Sequence, residues 1–132
     1  GFPSETEGNF QNTIRLIKEI IPLKVHIFPY SLRNGTVASN FREALNPDVV
    51  KERISSMKDI CENCGLIYKK QFLNKKMDVL IEGRSKENPL FWEGYTGNYL
   101  KVLVESSQNL KNQLIPVKLK KIVKSFVLAD LA

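Results

Sequence analysis

In 132 residues the sequence has one histidine, His26, and two cysteines, Cys61 and Cys64. That scarcity removes most ready-made chemistry. A structural zinc site takes four ligands, and Cys61-Glu62-Asn63-Cys64 with one remote histidine leaves such a site short. No Ser-His-Asp order, phosphate-cradling glycine loop or HExxH-type pair is present. No apolar run approaches the ~18 residues that crossing a bilayer requires, and the start lacks a basic segment followed by an apolar stretch. The expectation is a soluble, cytoplasmic protein without internal repeats or low-complexity tracts.

What is present is an ordinary globular composition, 42% apolar and 26% charged, with a formal charge of +6 and a pI near 9.4. Such an excess of Lys and Arg favours a polyanionic partner. The excess is uneven. Ten Lys or Arg face six Asp or Glu from Gln71 onward, against ten and eight before it.

Ser4 and Glu7 have the spacing of a capping box. Phe10, Ile14, Ile17 and Ile21 then recur at helical intervals, so a helix is expected over 5–20, ending before Pro22. Residues 23–30 set Val25 and Ile27 on one face and His26, Phe28 and Tyr30 on the other, the alternation of a strand. A surface loop with an Asn34-Gly35 turn is expected over 31–45. Asn46-Pro47 opens a second helix over 47–68, whose stripe is Val50, Ile54, Met57, Cys61, Cys64 and Tyr68; Gly65 is a potential break.

Beyond Lys70, short apolar runs at 77–82, 91–95, 99–104, 114–122 and 126–130 alternate with turn residues. Five such strands suggest a small closed barrel of the oligonucleotide-binding kind. Trp92, Tyr95 and Tyr99 interleave with Arg84, Lys86 and Lys101, and Lys118, Lys120, Lys121 and Lys124 form a second basic group. Aromatic faces that stack on bases beside cations that neutralise phosphates make an RNA platform; the simpler alternative is rings that fill the barrel and lysines that solvate it. Cys61 and Cys64 read as a metal or redox pair or as small apolar residues of the helical stripe, with packing favoured. His26 reads as structural or pocket-lining ahead of catalytic.

Two segments carry a family resemblance. Gly1-Phe2-Pro3-Ser4-Glu5-Thr6 and Tyr30-Ser31-Leu32-Arg33-Asn34-Gly35-Thr36 resemble, on either side of a helix, motifs of the radical S-adenosylmethionine methylthiotransferases. Ser4 stands where that pattern has Gly. Gly94-Tyr95-Thr96-Gly97-Asn98-Tyr99 resembles the Gly-x-Thr-x-Asn-Tyr signature of the TRAM domain, an RNA-binding barrel, and Pro116-Val117-Lys118-Leu119 matches a later strand of it. The resemblance covers nearly the whole chain in order. His26 to Ser31 together with Arg33 look closest to the branch acting on threonylcarbamoyladenosine in tRNA, with the isopentenyladenosine and ribosomal-protein branches as alternatives.

The resemblance implies an α/β remnant of a radical barrel over 1–45, a connecting helix over 46–70, and a five-stranded antiparallel TRAM barrel over 71–132. It implies a parent enzyme using S-adenosylmethionine and two four-iron, four-sulfur clusters, whose Cys-x3-Cys-x2-Cys run this chain lacks. This polypeptide alone is then not expected to catalyse the reaction. Gly1, Pro3, Glu5, Phe28, Tyr30 and Ser31 would lie at the cofactor end, and Arg33 would contact substrate or hold the linker. Arg84, Lys86, Trp92, Tyr95, Thr96, Asn98, Tyr99, Lys101, Lys118 and Lys120 would bind RNA. The implied partners are tRNA, the missing N-terminal part of the enzyme and a second copy paired through the strand at 23–30. The chain does not open on Met, which fits a portion of a longer protein; a free-standing RNA-binding module leaves residues 1–36 without a purpose.

Overall fold

The computed structural model describes residues 1–41 and 43–132, so position 42 of the expected 31–45 loop lies outside the described residues. The chain divides into two compact units, Gly1–Tyr68 and Lys69–Ala132.

In the first unit, Phe2-Pro3-Ser4-Glu5 form a β-turn closed by the Glu5 amide donating to the Phe2 carbonyl at 3.0 Å. Pro3 presets the second position, and Ser4, the third, has φ of +67°. A proline followed by a positive φ is the type II arrangement, which explains why the related pattern has Gly there. Ser4 therefore cannot be the helix cap. Thr6, in extended conformation, caps instead, its hydroxyl accepting from the Asn9 amide at 3.1 Å, and helix α1 runs Glu7–Ile20. Ile21 closes it in the left-handed region with its amide on the Ile17 carbonyl, and Pro22 prevents continuation.

Helix α2 spans Pro47–Lys70 without interruption. The Asn46 side chain accepts from the Asp48 amide at 2.9 Å, and Pro47 takes the first turn, where its missing amide costs nothing. Phe10 and Ile14 of α1 and Cys61, Cys64 and Gly65 of α2 are buried. Gly65 does not break the helix; a Cβ there would stand 2.7 Å from the Leu23 carbonyl oxygen, so its bare backbone lets the chain leaving α1 pass directly over α2.

The strand expected over 23–30 is absent. Those residues form no ladder, because a single extended stretch finds no neighbouring strand among the described residues and Pro29 cannot donate to one. Tyr30 instead packs edge-on against Phe2, which meets Phe41 in the same way. The loop beyond folds into a turn at Arg33–Thr36 and a 3₁₀ segment, Val37–Asn40.

The second unit is a closed barrel of five strands, β1 Lys76–Arg84, β2 Phe91–Thr96, β3 Lys101–Glu105, β4 Leu114–Val123 and β5 Phe126–Leu131, in the spatial order β1-β2-β3-β5-β4. Four pairings are antiparallel and the β3–β5 pairing is parallel, so the barrel is mixed. Period-two alternation sends Val79 and Ile81, Val102 and Val104, Val117 and Leu119 inward, where with Leu100 and Val127 they are fully buried. Bulges between Ile81 and Gly83 and between Leu119 and Lys121 bend the two longest strands enough to close the cylinder.

A candidate nucleic-acid interface on the barrel

The turn between β2 and β3 is built by the signature residues themselves. Gly94 faces β1 where a Cβ would stand 2.2 Å from the Leu80 carbonyl oxygen, so only glycine permits this strand spacing. The Thr96 hydroxyl donates to Asn98 Oδ1 at 2.6 Å and accepts from the Leu100 amide at 2.9 Å. The Tyr99 amide donates to the Thr96 carbonyl at 2.9 Å. Tyr99 is thereby held at φ of +64° with its side chain 78% exposed. The turn fixes a ring in solvent that burial would otherwise favour hiding.

Tyr95 lies beside it on the outward face of β2. Its Cα partners are Leu80 on β1 and Lys101 on β3, and Leu80 is in turn opposite Leu114 on β4. Leu80 and Leu114 are outward-facing and exposed. Together with Asp78, Glu82 and Tyr99 they line an open groove of about 650 Å³. Sequence reasoning missed Asp78, Leu80, Glu82 and Leu114. Their alternation along β1 was legible, but their neighbours across the sheet depend on register.

The other expected RNA-binding residues occupy different settings. Trp92 is buried, its indole N–H donating to the Ser106 carbonyl at 3.2 Å, and the Arg84 guanidinium sits 3.9 Å from its ring centre. Arg84 also donates to the Leu90 and Ser106 carbonyls, so both groups are engaged within the barrel. The Lys101 ammonium is 3.4 Å from the Glu93 carboxylate and 4.7 Å from the centre of the Phe126 ring. Lys120 pairs with Asp130 at 2.9 Å on the surface, while Lys86 and Lys118 are exposed and Lys118 lies opposite Lys76.

The residues expected at a cofactor end are not gathered into one site. Arg53 on α2 holds the Glu5 carboxylate at 2.8 Å and its carbonyl at 3.0 Å, and reaches Glu7 at 3.0 Å. Burial pushes the Glu5 carboxyl up, but hydrogen bonds and charge from the Gly1 amino group and Arg53 outweigh it and hold the carboxyl below its ordinary value. Pro3 is buried in the turn, the Tyr30 hydroxyl is enclosed without a hydrogen-bond partner among the described residues, and Ser31 and Arg33 are exposed. Phe28 projects into solvent with His26 stacked parallel to it.

Nor do the described residues fit an iron–sulfur cluster, which is held by several cysteine thiolates. Cys61 and Cys64 are buried and free, burial and the neighbouring Cys64 push the Cys61 thiol up, and Cys64 Sγ lies 3.8 Å from the Ile17 carbonyl oxygen. No group of three His, Cys, Asp or Glu positioned for a metal occurs among the described residues, and none of their helices is long and apolar enough to cross a membrane.

This is the architecture of a small oligonucleotide-binding-type barrel together with a separate helical part, and comparison with known proteins narrows its kin. The chain is 32% identical over 123 residues to a threonylcarbamoyladenosine tRNA methylthiotransferase of Bacillus subtilis, covering 92% of this chain and 27% of that protein. It is 34% identical over 119 residues to a tRNA-2-methylthio-N(6)-dimethylallyladenosine synthase of Geobacillus kaustophilus, covering 90% and 22%, and equally identical to the Vibrio campbellii protein of that name, covering 90% and 25%. The chain thus spans about a quarter of the length of the curated relatives it matches. No protein-family model matches it. Its homologues are tRNA methylthiotransferases.

Proposed function

We propose that the chain is the C-terminal portion of a tRNA methylthiotransferase and that its barrel binds the tRNA substrate. The observation that carries the binding role is Tyr99, an aromatic ring held in solvent by a hydrogen-bonded turn beside Tyr95 on a net-basic barrel. Exposed rings stack on unpaired bases, and Lys86, Lys118 and their neighbours neutralise phosphates. Thr96 and Asn98 hold the turn, while Trp92, Arg84 and Lys101 stiffen the strands beneath it. Lys120, already paired with Asp130, contributes after exchange with a phosphate.

The substrate of the parent enzyme is threonylcarbamoyladenosine next to the tRNA anticodon, on the strength of the His26 to Ser31 segment and Arg33. Similarity alone does not separate this from the dimethylallyl form, since relatives of both names are about equally identical. The ligands of the two clusters belong to the remainder of the enzyme, because the cysteines in this chain are buried packing residues. The chain's own part is to bind and orient RNA.

The test is filter binding of a tRNA anticodon stem-loop to this chain across a salt series. Capture of four to six phosphates predicts a slope of log affinity on log salt of about −3 to −5. Absence of any RNA affinity at low salt would remove the binding role. Retention of affinity by Tyr99→Ala would remove Tyr99 from it.

A further inference from the structure

Along its outward face β1 carries Lys76, Asp78 and Leu80, with Glu82 at the bulge, while Arg84 beyond the bulge is opposite Trp92 and covers its ring. The two carboxylates stand on either side of an exposed leucine. The carboxylates of Asp78 and Glu82 have no hydrogen-bond or ion-pair partner among the described residues. They border the groove floored by Leu80 and Leu114 and walled by Tyr95 and Tyr99, whose ~650 Å³ is in the range of small-ligand sites.

A phosphate chain does not run through a groove edged by two unpaired carboxylates. An uncharged aromatic ring whose edge presents hydrogen-bond donors does fit. The leucines and tyrosines offer it apolar and stacking surfaces, and the carboxylates offer acceptors only. Guanine is the base that presents two adjacent donors, N1–H and the N2 amine, to one carboxylate, while adenine and cytosine each present an amine beside an acceptor. The register selects between the carboxylates. Thr96 is opposite Val79, and the turn carrying Tyr99 follows it, so Tyr99 lies at Asp78's end of the groove. Asp78 is itself opposite Pro116, which has no N–H and no polar side chain to compete for the carboxylate.

Resting on the reading of the barrel as an RNA-binding module, we propose that this groove takes one unpaired guanine base, stacked on Tyr99 and held by paired hydrogen bonds from its N1–H and N2 amine to Asp78. The surrounding basic residues take the flanking phosphates. The groove adds base selection to a surface whose charge alone binds any RNA.

The experiment uses fluorescence anisotropy at low salt with short oligo-uridine RNAs carrying one central guanosine, inosine or adenosine. Inosine keeps N1–H and lacks the N2 amine. The guanosine RNA is expected to bind about tenfold more tightly than the inosine RNA. Asp78→Asn should bring that ratio to near unity, whatever the removal of a negative charge does to affinity as a whole. Glu82→Gln should preserve the ratio, and Tyr99→Ala should weaken all three RNAs. Equal binding of guanosine and inosine RNAs, or a ratio that survives Asp78→Asn, overturns the guanine site and leaves RNA binding standing. RNA affinity unchanged by Tyr99→Ala overturns it too. If none of the RNAs binds, the reading of the barrel fails together with the site.

Discussion

Arg53→Met tests how the first unit is held together. The Arg53 side chain is 11% exposed and makes two hydrogen bonds to Glu5, one to Glu7, and a face contact with the Phe10 ring at 5.1 Å. Methionine keeps much of the stem's packing and removes the charge. Losing a contact between a partly buried cation and a ring costs about 0.5–1 kcal/mol. The Glu5 pair lies between an exposed pair at about 0.2–1 and a buried one at about 3–5 kcal/mol, so about 1–2 is expected for a carboxylate that is itself 21% exposed. Against this, the Arg53 Nε–H is buried without a partner among the described residues, and deleting it returns about 1 kcal/mol. The net loss is about 0.5–2 kcal/mol.

Urea unfolding read by far-ultraviolet circular dichroism reports mainly α1 and α2, whereas fluorescence of Trp92, the single tryptophan, reports the barrel. The helical midpoint should fall by about 0.3–1 M urea. The effect also has a pH signature. Glu5 is held below its ordinary value, so the stability it gains from its partners is fully present above the unfolded carboxylate's ~4.3 and is lost as pH falls through its folded value. The gap between native protein and variant should therefore be constant near neutrality and close below about pH 4. A helical midpoint that does not move, or a gap of the same size at low pH, would refute the role given to Arg53.

Gly94→Ala should prevent the barrel from closing, because the new Cβ would press on the backbone of Leu80 and Ile81 rather than on a movable side chain; a native-like Trp92 emission and an unchanged urea midpoint would contradict it. Cys61 and Cys64 should resist Ellman's reagent at neutral pH until urea unfolds α2, since both are buried and the Cys61 thiol is held in its protonated form. Rapid native-state labelling of either would place it on an accessible face.

The parts of the fold read most directly from sequence are those where local chemistry and tertiary packing agree. Helix α2 was legible because Asn46-Pro47 starts it and one stripe from Val50 to Tyr68 runs its length, and the five strand positions followed from turn residues between alternating runs. Residues 23–30 show the converse. Their alternation has the period of a strand, but a strand exists only with a neighbour to complete its hydrogen bonds, and none is supplied within the described chain. Ser4 and Glu7 had capping-box spacing, yet Pro3 commits the preceding residues to a turn that places Ser4 at positive φ and passes the cap to Thr6.

The candidate site divides along the same line. Gly94, Thr96, Asn98 and Tyr99 are contiguous, and their roles are local: a close strand approach, a stapled turn and a ring held outward. Such a motif is readable because each residue acts on its immediate neighbours. Trp92 illustrates the limit, since nothing in its spacing reveals that Arg84 covers its face from the adjoining strand. The groove beside Tyr99 is less readable still. Leu80 meets Tyr95 and Leu114 only because three strands pair in one register, and a slip of one residue would send Leu80 inward and Val79 or Ile81 out. Since burial of Val79 and Ile81 fixes that register, the apolar core determines which residues the outer surface presents.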